Sequence, residues 1–164
     1  MSLSRNRSIA LGVVFVIAAD WLSKFWVQNN FLLGARRTVV EDWLWLTHHQ
    51  NRGISFSALA DAPDAWRLPV LAAASLVGIV VACMLFLRAT DRWMRLAAAL
   101  VIAGAVGNLG DRLMNGGVTD FILVRFFPFV FNVADVAITA GAILLAARLL
   151  LEESPGTGDA PSAV

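Results

Sequence analysis

Residues 68–87, LPVLAAASLVGIVVACMLFL, run for twenty positions without a charge. About 20 residues rising 1.5 Å each cross the roughly 30 Å of hydrocarbon in a bilayer, so this stretch predicts a transmembrane helix. Apolar segments at about residues 8–28, 93–114 and 132–151 complete a set of four. An even number of crossings leaves both termini on one side. Arg88, Arg92 and Arg95 crowd the short link between the second and third segments, and Arg5 and Arg7 precede the first, which assigns that side to the cytoplasm. Arg36, Arg37, Arg52 and Arg67 fall on the opposite side, so the shortness of the inner link carries the assignment. Arg5 and Arg7 before the apolar residues 9–19 also imitate a cleavable secretory signal. The continuation DWLSKFWVQNNFLL stays apolar and free of helix breakers, which predicts an uncleaved first helix.

The two outer connections have a different rhythm. Residues 39–59, VVEDWLWLTHHQNRGISFSAL, hold a β-rich run, a turn at Asn51 to Gly53 and then the alternation Ile54, Ser55, Phe56, Ser57, which predicts a short hairpin or small sheet. Trp43 and Trp45 are expected on one face of its first strand, and with Trp21, Trp26 and Trp66 they read as anchors at the membrane interface. DAPDAWR, residues 61–67, predicts the cap of the second helix or a brief surface helix ahead of it. Residues 116–132 open with Gly116 and Gly117 and continue as apolar extended chain, VTDFILV, that would avoid water by dipping against the helices. The expected organisation is one membrane domain over residues 1–152, with an outer insertion at about 30–66, followed by a disordered tail at 153–164.

Composition agrees with the pattern: of 164 residues 59% are hydrophobic and 15% charged, against roughly 25% charged in ordinary soluble domains. A net charge of +1 gives no reason to expect a nucleic-acid partner. The single cysteine, Cys83, lies in the uncharged span and reads as packing. Neither histidine has the spaced cysteine or acidic partners of a metal site, and no cofactor motif is present.

Four acids stand in or beside the apolar segments: Asp20, Asp111, Asp120 and Asp135. An acid at mid-bilayer costs about 2.5 to 3.5 kcal/mol on insertion scales, so each needs a partner, a wet cavity or a task. Asp20 and Lys24 sit one turn apart in the favourable order and read as a structural ion pair. Ala99, Ala103, Gly107 and Asp111 share one face of the third helix, a stripe of small residues that admits close packing and ends in an acid. Asn108 and Arg112 flank it, with Arg112 placed to neutralise Asp111 or hold a carbonyl. Asp135, Thr139, Ala142 and Ala146 share a face of the fourth helix, with Asn132 one turn above and Asp135 in the positive first turn. The dipping loop carries Asp120 toward Asp135. Two carboxylates close together in a poorly solvated site share one proton, the division of labour that lets one take a proton from water while the other donates to a peptide carbonyl. Spacing alone leaves alternatives open, since paired acids also serve small proton-coupled carriers and helical scaffolds.

The residues GNLGDR (107–112), GGVTDFI (116–122) and FNVAD (131–135) resemble, in order and spacing, signature blocks of lipoprotein signal peptidase, also called signal peptidase II. DWLSK (20–24) and NRGISFS (51–57) resemble its two N-terminal blocks. The resemblance implies an all-α membrane protein of four transmembrane helices with a small periplasmic β-rich cradle and a short surface helix. It implies an aspartic endopeptidase of the bacterial inner membrane that removes the signal peptide from prolipoproteins, cutting just before a diacylglyceryl-modified cysteine, without cofactor or metal. The partners implied are that lipid-modified precursor and membrane lipid, and a monomer is expected. By the same resemblance Asp120 and Asp135 are the catalytic pair, Asn51, Gly53, Asn108, Asp111, Arg112 and Asn132 line the substrate site, and Asp20 and Lys24 match its first-helix acid and base. Asp111 with Asp135 is the rival pairing. Arg52, where the family usually has a small or hydroxyl residue, and Gly110, where it has a bulkier apolar one, depart from the pattern.

Overall fold

Four helices follow the four apolar segments: α1 (Leu3–Asn30), α2 (Asp64–Arg88), α3 (Arg92–Asn115) and α4 (Val133–Glu152). All four are long and apolar enough to cross a membrane. The structure, a computed structural model, describes residues 3–53 and 63–152. The hairpin half at residues 54–57, any surface helix before Asp64 and the tail from residue 153 therefore lie outside the described residues. The helix α1 extends beyond the expected segment at both ends. At its outer end the side-chain amides of Asn29 and Asn30 donate back to the carbonyls of Phe25 and Trp26, one turn earlier.

The central element is α3, which packs against α4, α2 and α1. Its small-residue stripe is the contact face, with Ala99, Ala103, Gly107 and Asp111 all buried. A Cβ on Gly107 would stand 2.6 Å from Oδ2 of Asp20 and 3.4 Å from Cβ of Ala134, so glycine there lets α1, α3 and α4 meet. Gly110 is explained in the same way: a Cβ would stand 2.8 Å from Cζ2 of Trp21, whose indole fills the space of the larger side chain expected at that position. Gly110→Leu is expected to overpack this contact and cost about 1–3 kcal/mol. Trp21→Ala should recover most of that loss, which thermal unfolding of the single and double variants in detergent would measure.

At the opposite end from Asp111, Asp91 caps α3 by accepting from the backbone N–H groups of Trp93 and Met94, and it pairs with Arg148 of α4 at 3.0 Å. The Met94 N–H foremost, with Arg148 adding to it against some desolvation, holds the Asp91 carboxyl below its ordinary range. Asp91→Ala should lower the thermal midpoint and leave catalysis unchanged, since the clasp lies at the far end of the bundle from the buried acids.

Four strands form one antiparallel sheet in the order β1 (Arg36–Val40), β2 (Leu44–Asn51), β3 (Val118–Val124) and β4 (Val130–Phe131). The expected small sheet is present, and its β3 is the apolar run between the third and fourth helices. Trp43 and Trp45 do not share a strand face. Trp43 lies in the β1–β2 turn beside Asp42, whose φ is 59°, and packs edge-on against Phe126, while Trp45 alone is on β2, beneath the Arg36 guanidinium.

Candidate active site

The last turn of α3, the strand β3 and the first turn of α4 converge at one end of the bundle. Asp111 begins the construction. Its carboxylate takes the backbone N–H of Thr119 and the amide of Asn115, and lies 3.6 Å from Nζ of Lys24. Thr119 also accepts from Nε2 of Gln28 at 2.7 Å, so α1 and α3 together clamp the start of β3. The next residue is Asp120, 1% exposed, which the clamp holds against the helices. The expectation that Arg112 neutralises Asp111 is not met by a contact. Neighbouring helix positions point about 100° apart, and Arg112 instead turns toward α2, where Nη1 lies 3.4 Å from Oγ of Ser75. Its Nε is buried and has no hydrogen-bond partner among the described residues.

Three asparagines join the two remaining acids. Nδ2 of Asn132 donates to Oδ1 of Asp120 at 2.6 Å, and the backbone N–H of Asn132 donates to Oδ2 of Asp135 at 3.2 Å. The Asp135 N–H returns a bond to Oδ1 of Asn132 at 2.9 Å, an exchange like a capping box at the start of α4. Nδ2 of Asn51 reaches Oδ2 of Asp120 at 3.0 Å, and Oδ1 of Asn51 accepts the N–H of Gly53, also at 3.0 Å. Nδ2 of Asn108 donates to Oδ1 of Asp135 at 2.8 Å, while its Oδ1 accepts from Lys24 Nζ at 2.9 Å and from Asn132 at 3.2 Å. Lys24 pairs in turn with Asp20 at 2.8 Å, and Oδ1 of Asp20 accepts the backbone N–H of Ala134 at 2.9 Å.

The four acids, Lys24 and the three asparagines singled out in the sequence thus lie in one network, and Asp120 and Asp135 are a single residue, Asn132, apart within it. The asparagines expected to line a substrate site have their amides on the acids. Sequence reasoning missed Thr119, Gln28 and Ser75; Thr119 was open to inference as the neighbour of an acid on a strand, the other two were not. Burial, with the Asp135 charge next, pushes the Asp120 carboxyl up to about 7, against the opposing bonds from Asn51 and Asn132 and the charge of Lys24. Near neutral pH this site therefore holds a carboxyl able to donate a proton next to a second carboxyl group.

The family model described as signal peptidase (SPase) II matches residues 12–151. A lipoprotein signal peptidase of Pseudomonas syringae pv. tomato is 40% identical over 149 residues, which are 87% of this chain and 86% of the relative. One of Streptococcus pyogenes serotype M2 is 35% identical over 157 residues, 93% of this chain and 99% of the relative. A solved bacterial membrane enzyme, determined by the in meso method, superposes with a TM-score of 0.84 at 26% identity, covering 94% of each chain.

Proposed function

Because the chain belongs to the signal peptidase II family of membrane proteases, which remove signal peptides from prolipoproteins, we propose that Asp120 and Asp135 are its catalytic pair. The observation that carries this reading is the bridge through Asn132, which draws the buried carboxyl of Asp120 and the half-buried one of Asp135, from separate elements, into one network. Asp135 receives donors from Asn108 and from the backbone N–H of Asn132 just before α4, and it lies in the first turn of that helix, which suits it to be the carboxylate. Asp120, with its raised affinity for a proton, is the acid.

In the reaction Asp135 removes a proton from water, the oxygen adds to the scissile carbonyl carbon, and Asp120 gives its proton to the carbonyl oxygen. Collapse of the tetrahedral intermediate breaks the C–N bond. The proton held by Asp135 passes to the leaving amine of the cysteine, and Asp120 recovers its own from the intermediate's hydroxyl. In this reading the Arg112 guanidinium holds a substrate carbonyl during these steps, and Gly53, whose N–H is on Oδ1 of Asn51, lines the site beside it. Asp111, whose carboxylate is occupied by Thr119, Asn115 and Lys24, serves to place β3.

The substrate of this reading is a precursor whose cysteine already carries diacylglycerol, cut just before that residue. The protein spans the inner membrane several times, and we place both termini in the cytoplasm with the acids toward the periplasmic surface, because Arg88, Arg92 and Arg95 gather at the end remote from the site. Purified protein is expected to cut a peptide bearing diacylglyceryl-cysteine at the bond before the cysteine and to leave the unmodified peptide intact. No cleavage of the lipidated peptide, with proton flux across vesicles instead, would favour a carrier.

A further inference from the structure

The pair Asp20–Lys24 holds more than two helices together. We propose that Lys24 is a positioning residue for the chemistry: by holding Oδ1 of Asn108 it turns Nδ2 of Asn108 onto Asp135 and so keeps Asp135 the carboxylate of the pair. This rests on the assignment of Asp120 and Asp135 as that pair.

A lysine ammonium has donors and no acceptor, so the group of Asn108 that faces it at 2.9 Å is the amide oxygen. The other end of the same planar group is then the NH2, and it meets Oδ1 of Asp135 at 2.8 Å. A half-turn of the amide would set two donors against the ammonium and a carbonyl oxygen against Asp135, an arrangement that only a protonated Asp135 accepts. Lys24, with Asn132 on the same oxygen, thus sets which end of the Asn108 amide faces a group that Lys24 does not touch. Buried to 3% exposure, the ammonium lies 2.8 Å from Asp20 and 3.6 Å from Asp111. An ion pair that only joined helices would be complete with those two acids; the third contact, to a neutral amide, is the one that leads to the site. Asp20 adds a second link to the same place, since its Oδ1 fixes the N–H of Ala134, one residue before Asp135.

The charged groups around Asp135 come from every neighbouring element. They are Asp20 and Lys24 on α1, Asp111 and Arg112 on α3, and Asp120 on β3, while α2 places Ser75 beside Arg112 and carries the buried Arg67 near its start. From β2 comes the neutral Asn51, and His49, opposite Asp120 in the ladder, is exposed. Among these only Lys24 contacts a side chain that in turn donates to Asp135.

The test measures kcat, KM and the pH–rate profile on a diacylglyceryl-cysteine peptide for Lys24→Met, Asp20→Asn with Lys24→Met, Asn108→Leu, and Lys24→Met with Asn108→Leu. The paired neutralisation on α1 avoids stranding a buried charge, and Asn108→Leu leaves the ion pair intact. Lys24→Met, or the paired neutralisation if the single variant does not fold, is expected to lower kcat roughly tenfold to hundredfold at near-constant KM and to move the acidic limb of the profile to higher pH. Asn108→Leu should reproduce both effects, and adding Lys24→Met to it should cost nothing more. Full additivity of the two changes, or a folded variant with the wild-type kcat and pH profile, overturns the proposal. Wild-type activity in Asp135→Asn, measured beside them, would instead remove the assignment on which it rests.

Discussion

Asp120→Asn and Asp135→Asn each lower kcat by roughly 100- to 10,000-fold, the range associated with a positioned acid or base, while the protein stays folded. The loss corresponds to about 3–5 kcal/mol of transition-state stabilisation at 1.36 kcal/mol per tenfold. An amide keeps the size of the carboxyl and its ability to accept from Asn132 or Asn108, so the network survives with altered donors. What it lacks is the proton affinity that the reaction uses. The two losses should not add in the double variant, because a base without its acid is already idle. Cells relying on either variant are expected to accumulate lipid-modified precursor. Asp111→Asn is the informative contrast: it loosens the hold on the Thr119 N–H and on Lys24, so its damage should appear in thermal stability as well as in rate. An Asp120→Asn enzyme with undiminished turnover, alongside a dead but stable Asp111→Asn enzyme, would transfer the acid's part to Asp111.

Why Asp111 rather than Asp120 holds the chain in place was not legible in the sequence. The motif offered Arg112 as its partner by adjacency, yet consecutive helix residues diverge, and the partners that Asp111 finds are a strand N–H and a lysine on another helix. The helices were legible because a charge-free run of bilayer length has one outcome, and their ends differ from expectation by only a few residues. The sheet was half legible. In β2 and β3 the apolar runs announced extended chain, but all five positions of β1 are exposed, so no alternation of buried and exposed residues marked it. Pairing of β2 with β3 joins residues about seventy positions apart and leaves no local signal. The same holds for the site. Four acids in apolar surroundings pointed to a task, and the resemblance named two of them, but the direction in which Asn108 points depends on Lys24, 84 residues away. Gly110, an unexplained departure in the sequence, became intelligible once Trp21 lay against it.

The alkaline side of the pH–rate profile should fall near pH 7, by tenfold per unit, as the pair loses the proton that Asp120 donates. Burial is the main cause, since it disfavours the charged form and lifts the Asp120 carboxyl from 3.8 to about 7, and the nearby Asp135 charge acts in the same direction. Stability should follow with a definite sign. Between pH 4 and pH 7 the folded protein holds a proton on Asp120 that the unfolded chain has released, so stability declines as pH rises through that window, and the penalty is complete above pH 7. Removing a donor should move the limb in a known direction: Asn51 bonds Oδ2 of Asp120 and favours its ionised form, so Asn51→Ala shifts the alkaline limb to higher pH. Rate profiles for wild type and Asn51→Ala between pH 5 and pH 9 measure this directly. A wild-type limb that does not respond to Asn51→Ala, or that moves downward, would mean that a different group supplies the proton.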